Sequence, residues 1–187
     1  MFERVRNKFG NCVCQMLTTQ YRMHSKIMQV SNEHLYDNNL LAHPSVALHL
    51  LTGLPGVLST MNTRLPLVFI DTVNTGNEES VEKIVTVDDD MPAQISNSTV
   101  NFGEAELAVK HAEDLIASGV KGSDIAIITP YNGQVRVLVR MQDRIPDVKI
   151  GSIDGFQGSE KEAVILSLVR SNPRKSVGFL DDYRRMN

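Results

Sequence analysis

Cysteine is scarce in this 187-residue chain: Cys12 and Cys14 are the only two, with no second pair and no zinc-type histidine spacing beside them. A metal centre built on that C-x-C pair is therefore disfavoured, and no metal site is expected. Alternate positions of a strand share a face, so the two read as buried or half-buried free thiols, which suits a reducing compartment. Five histidines, His24, His34, His43, His49 and His111, are scattered without ligand spacing. No uninterrupted apolar run approaches membrane-spanning length, and Met1-Phe2-Glu3-Arg4 does not begin a signal peptide. The expectation is a soluble intracellular protein, cytoplasmic or nuclear, with no membrane partner. A basic excess is missing as well. The net charge of −3 gives no whole-domain signature of nucleic-acid binding.

What is present is ordinary globular composition, 42% hydrophobic and 22% charged, long enough for one domain with a sizeable core. Charge is unevenly spread. Glu78, Glu79, Glu82, Asp88, Asp89 and Asp90 crowd one stretch against Lys83 alone, while Lys161, Arg170, Arg174, Lys175, Arg184 and Arg185 dominate the end. The acidic run reads as solvated surface. Because 73–99 also lacks apolar periodicity, residues 73–100 are expected to be an acidic, mobile insertion.

Around that insertion, strand and helix patterns alternate. Residues 12–18, 65–71, 124–129, 149–153 and 163–169 have strand character, and 67–70 carries the apolar run of a strand covered on both faces. Helical spacing marks 23–36, 101–118 and 132–145. Ile27, Val30 and either Ser31 or His34 would share one face of the first, and Val135, Leu138, Val139 and Gln142 one face of the last. Asn101 with Glu104 makes a capping-box-like start, and Gly119 a stop. Such alternation indicates βαβ units, a mostly parallel sheet with helices on both faces. After Asp181 the pattern approaches another helix, so the domain reads as truncated at its C-terminal end.

Three polar clusters sit at junctions of this pattern. Gln20-Tyr21-Arg22 lies between a strand and a helix, at a sheet edge where open α/β folds bind ligands. A tyrosine there can stack a base, and an arginine fork can reach phosphate oxygens. In isolation the tripeptide reads more readily as a helix-start arginine paired with a neighbouring carboxylate, with a half-buried tyrosine beside it. Thr129-Pro130-Tyr131-Asn132-Gly133-Gln134 follows a strand. The run 152–168 takes a polar, Gly-containing loop into an apolar strand. Gly155 and Gly158 precede a strand instead of opening a helix, so they form no dinucleotide fingerprint. Ser152 and Asp154 belong to no hydrolase elbow.

Together and in this order, the clusters resemble motifs of the Upf1-like branch of superfamily 1 helicases. Residues 17–28 are similar to motif IIIa, 129–134 to motif IV, 152–172 to motif V, and 178–187 to the opening of motif VI. The connecting text 41–56 resembles the immunoglobulin mu-binding protein 2 subfamily. The resemblance implies the second RecA-like motor domain, of P-loop NTPase type, over 1–187, in a motor moving 5′-to-3′ on single-stranded RNA or DNA. It implies ATP as cofactor, with Tyr21 on the adenine, Arg22 as a catalytic arginine finger on the γ-phosphate, Gln20 holding their loop, and Gly158 and Glu160 at the nucleotide, Glu160 on the ribose. Thr129, Pro130, Ser152 and Asp154, with Arg170 nearby, would contact the strand through phosphate and sugar, without reading sequence.

The family's G-x-x-x-x-G-K-[ST] loop does not occur in this sequence. Phosphate cradling and Mg²⁺ coordination would come from a first RecA-like domain of the same polypeptide. A rival from another class is a non-catalytic nucleic-acid or protein-binding module that kept the fold. Nucleotide-facing Tyr21, Arg22 and Glu160 argue against it, since pure binding does not need them. Purified residues 1–187 are accordingly expected to show no ATPase activity. Steady turnover, free of contaminating enzyme, would remove the half-site reading.

Overall fold

A computed structural model describes residues 2–72, 75–88 and 91–178. The described residues divide into two compact units, 2–49 and 50–178. The first begins with helix α1 (Phe2–Phe9) and a 3₁₀ turn at Gly10–Val13, where a strand was expected. The strand is confined to β1 (Thr19–Gln20), which pairs in parallel with β2 (Leu41–Ala42). Between them lies α2 (Ser25–Leu35), close to the range its spacing predicts. Its inner face is not the expected one. Ile27 and Val30 are exposed, whereas His24, Met28 and Asn32, spaced by four, are buried. Asn32 explains the rotation: its side chain accepts from the Leu40 amide (2.8 Å) and donates to the Leu40 carbonyl (3.2 Å), fastening the loop that follows the helix. Left-handed Asp37 and Asn38 turn the chain there. Short α3 (Pro44–Ala47) completes this unit. Cys12 is exposed rather than half-buried; Cys14 is half-buried as expected.

The larger unit opens with α4 (Met61–Arg64). Residues 65–71 form no strand, and Leu67 and Phe69 are 55% and 83% exposed. Strand propensity needs a neighbouring edge, and this run pairs with none among the described residues. The acidic segment is more regular than expected. β3 (Ser80–Asp88) and β4 (Met91–Val100) form an antiparallel hairpin, and Val100 at its foot is buried in the core. Thus 100 belongs to the body of the unit, not to an insertion. Residues 89 and 90 of the acidic run lie outside the described residues.

Helix α5 (Phe102–Ala117) follows, then β5 (Ile125–Thr129), α6 (Asn132–Val139), β6 (Lys149–Ser152) and β7 (Ala163–Leu166). The three strands make a parallel sheet in the order β6-β5-β7. This is the α/β arrangement the alternation predicts, with βα crossovers joining parallel neighbours, and it is consistent with the RecA-like fold that the resemblance implies. Ala105, Ala108, Val109, Ala112 and Leu115 of α5 pack with Val137 and Leu138 of α6 on Ile125 and Ile127. Each large aliphatic side chain so buried contributes about 1.5–3 kcal/mol. Small alanines let α5 lie close to its neighbours. The face of α6 again differs from expectation: Val139 is 50% exposed and Gln134 fully buried. On β7, Val164 and Leu166 remain exposed on the face away from that core, so the strand is not covered on both sides.

Gly119 ends α5. Its φ is +96°, the Val120 amide bonds back to the Leu115 carbonyl (3.1 Å), and a Cβ here would collide with the Gly56 carbonyl oxygen. Gly119→Ala is expected to lower stability by about 1–3 kcal/mol, read as a drop in thermal midpoint. An unchanged midpoint would mean that the α5 stop tolerates rearrangement.

Candidate nucleotide and nucleic-acid loops

In the smaller unit the side chain of Gln20 shapes the turn after β1. Its Oε1 accepts from the amides of Arg22 (2.8 Å) and Met23 (2.9 Å), and its Nε2 donates to the Met23 carbonyl (2.7 Å). A single side chain thus satisfies backbone groups just beyond the end of the β1–β2 ladder. The turn carries Tyr21 outward, 64% exposed, with its ring 4.4 Å from that of His43 and tilted by 31°. His43 follows β2, so the short β1–β2 pairing brings the two rings together. Arg22 is exposed. An open aromatic surface backed by a second ring, next to an extended guanidinium, fits a purine nucleotide: a base can stack while phosphate is met by the fork.

His24 then caps α2, its Nδ1 accepting from the Lys26 amide (3.0 Å). Burial, with Lys26 and His49 adding to it, holds the imidazole below its usual range.

In the larger unit, strand direction sorts the remaining candidates. Thr129 and Ser152 are register partners at the carboxyl ends of β5 and β6. Pro130 and Asp154 follow them directly, Pro130 half-buried and Asp154 exposed. Ser152 Oγ accepts from the Gly155 amide (3.2 Å) and starts a 3₁₀ turn at Asp154–Phe156. Thr129 is fully buried, its Oγ1 facing the Tyr131 amide at 3.4 Å. Its hydroxyl shapes the loop and does not face solvent.

Gly158 and Glu160 lie elsewhere. The chain crosses from β6 to the start of parallel β7, so they belong to the amino edge of the sheet. Lys149 Nζ donates to Ser159 Oγ (3.2 Å), and Lys161 Nζ to the Ser123 carbonyl, both at strand beginnings. Gly158, with φ of +79°, and Glu160 are exposed there. The larger unit therefore separates its expected nucleotide residues from its expected nucleic-acid residues by the length of the sheet.

Arg170 is at the carboxyl edge, as expected, but it is not available to a phosphate. Its guanidinium pairs with Glu79 (3.1 Å), each side chain under one-fifth exposed, and donates to the Ser176 carbonyl (2.7 and 3.1 Å). It also meets the Tyr131 hydroxyl, whose pKa is raised by burial and partly lowered again by Arg170.

Sequence reasoning missed the groups that hold this edge. Gln134 Oε1 accepts from the Asn101 amide (2.8 Å), and its Nε2 donates to the Asn101 carbonyl (2.9 Å) and Ser167 Oγ (3.1 Å). Gly133 donates to Ser98 Oγ (2.9 Å), and a Cβ on it would come within 2.7 Å of Val100. A glutamine inside an otherwise apolar helix face was the available signal for the first of these; Glu79 gave none.

The AAA_12 family model, described as an AAA domain, matches residues 1–187. Over its full length the chain is 45% identical to "DNA-binding protein SMUBP-2" of Mus musculus, covering 18% of that protein. It is 38% identical, again over its full length, to "DNA polymerase alpha-associated DNA helicase A" of Schizosaccharomyces pombe, covering 28% of it. Over 91% of the chain it is 31% identical to "Regulator of nonsense transcripts 1 homolog" of Neurospora crassa, covering 15%. The chain thus spans well under a third of these relatives.

The His24 cap generates a prediction about pH. Its folded pKa lies below the unfolded value of about 6.5, so the unfolded chain takes up the proton first. Stability from the cap is present above about pH 6.5 and is lost as pH falls from there toward the folded pKa. His24→Asn keeps a capping acceptor without titrating. It should flatten the fall in thermal midpoint on acidification; parallel curves would place the titration elsewhere, His111 being similarly lowered by burial.

Proposed function

This chain belongs to the AAA_12 family within the superfamily 1 helicases, and on that premise we propose that it is the second motor domain of an ATP-dependent helicase. Tyr21 stacks the adenine, Gln20 holds the turn, and Arg22 is the catalytic finger that neutralises charge developing on the transferred phosphoryl group. The observation that carries this reading is the Gln20-braced turn, which presents Tyr21 and Arg22 exposed side by side.

ATP, when bound, supplies the phosphoryl group. This chain contributes recognition of the base and a cation, while phosphate cradling and Mg²⁺ coordination come from a first RecA-like domain. In the larger unit, Gly158 and Glu160 are the residues proposed to face nucleotide, Glu160 for the ribose. Single-stranded RNA or DNA passes the opposite edge, along Pro130, Ser152 and Asp154 with their backbone amides. Thr129 and Arg170 act there by fixing the loops. The names of the relatives, a DNA-binding protein and a DNA helicase, agree with a nucleic-acid substrate. Translocation runs 5′-to-3′.

In the full-length protein, Arg22→Ala is expected to lower kcat by about 10³ or more while nucleotide affinity changes far less. An unchanged kcat would make Arg22 a surface residue. Loss of nucleotide binding with kcat preserved would assign it to the ground state instead.

A further inference from the structure

We propose that Glu104, with Asn101, is a positioning residue that holds a strained turn at Val169 and thereby fixes the backbone of Arg170 and Ser171 against the loop after β5. Its consequence for nucleic acid rests on the motor reading above. Val169 is fully buried and has φ of +73°. A β-branched residue in the left-handed region is an outlier, kept only where its surroundings over-determine it.

The surroundings are the first turn of α5. Glu104 Oε2 accepts from the Val169 amide (2.8 Å), and Asn101 Nδ2 donates to the Val169 carbonyl (3.2 Å). Both peptide groups flanking the strained Cα are thus clamped. Glu104 is free for this because its usual capping-box partner, the Asn101 amide, is already taken by Gln134. Asn101 Oδ1 still caps the helix by accepting from the Glu104 amide (2.9 Å).

Beyond the turn the chain is locked in place. The Ser171 amide donates to Glu79 Oε2 (2.9 Å), the Glu79 amide donates to the Ser171 carbonyl (3.0 Å), and Arg170 spans Glu79, Ser176 and Tyr131. Tyr131 belongs to the loop after β5, and its buried hydroxyl lies in the field of the Arg170 guanidinium, so Arg170 links the β5 and β7 loops electrostatically. Redirecting the chain at Val169 would move that tie. A strand gripped along these loops would feel the change as a mismatch of phosphate spacing, with the nucleotide turn at Tyr21 and Arg22 untouched.

The test uses the full-length protein and its Glu104→Ala and Glu104→Gln variants. Amide exchange is read over 167–172, and ATPase stimulation is titrated with single-stranded DNA and RNA at fixed salt. For E104A, exchange over 169–171 should quicken by roughly tenfold, and the nucleic-acid concentration for half-maximal stimulation should rise by a similar factor, as expected for losing one charged hydrogen bond. Basal turnover and the KM for ATP should stay unchanged. E104Q keeps an acceptor oxygen and should restore both readouts, which a general loss of stability would not permit. Unchanged exchange in E104A overturns the proposal. So does quickened exchange with an unshifted half-maximal concentration. If neither nucleic acid stimulates the wild-type protein, the motor reading has failed, and the exchange data alone then decide whether Glu104 positions the turn.

Discussion

The carboxyl edge of the larger unit depends on one buried side-chain amide. Gln134 has no exposure, yet its amide oxygen and nitrogen are all matched by Asn101 and Ser167. Leaving such a group unpaired would cost about 1–3 kcal/mol, so the arrangement is held together or lost together. Its bonds run to the junction between the β3–β4 hairpin and α5, and to the end of β7. Gln134 itself is on α6, directly after the β5 loop. Three stretches distant in sequence are thereby brought into one register, and it is from that register that Thr129, Pro130 and Arg170 take their positions.

The smaller unit uses the same device in the open. Gln20 also lends both ends of its amide to backbone groups, those of Arg22 and Met23. A glutamine amide carries a donor and an acceptor and can therefore imitate a peptide group where the chain leaves a strand. At Gln20 the result is a turn presenting side chains to solvent. At Gln134 it is a sealed junction that presents loops. The difference lies in burial, not in chemistry.

Most of the framework was legible because it is written in short-range terms. Asn101 and Gly119 bound α5 as caps do, and the apolar run 125–129 became the central strand. What depended on distant partners was not legible. The strand pattern of 65–71 has no paired edge among the described residues. The inner faces of α2 and α6 turned toward Asn32 and Gln134, polar residues that periodicity of apolar positions cannot rank. Of the candidate site, the turn at Gln20, Tyr21 and Arg22 was singled out by its resemblance to a helicase motif, and the structure adds the bracing of its backbone by Gln20. The pairing of Arg170 could not be read. A cation near a loop suggests phosphate, but whether it is spent internally depends on Glu79, far away in sequence and buried beside it.

That internal use of Arg170 bears on how such an edge could hold a nucleic-acid strand. A free arginine fork is a specific reader of phosphate and of guanine edges, and it holds what it binds. Tied to Glu79 and Ser176, the same group contributes stiffness in place of grip. What remains toward solvent is backbone, Ser152 and the carboxylate of Asp154, a surface with little net attraction for a polyanion. Weak, sequence-indifferent contact is what stepwise movement requires, since each hold must be released. A net charge of −3 points the same way. Stiff loops with little free positive charge fit the proposed motor element better than a recognition module, for which a freed Arg170 would be the more useful arrangement.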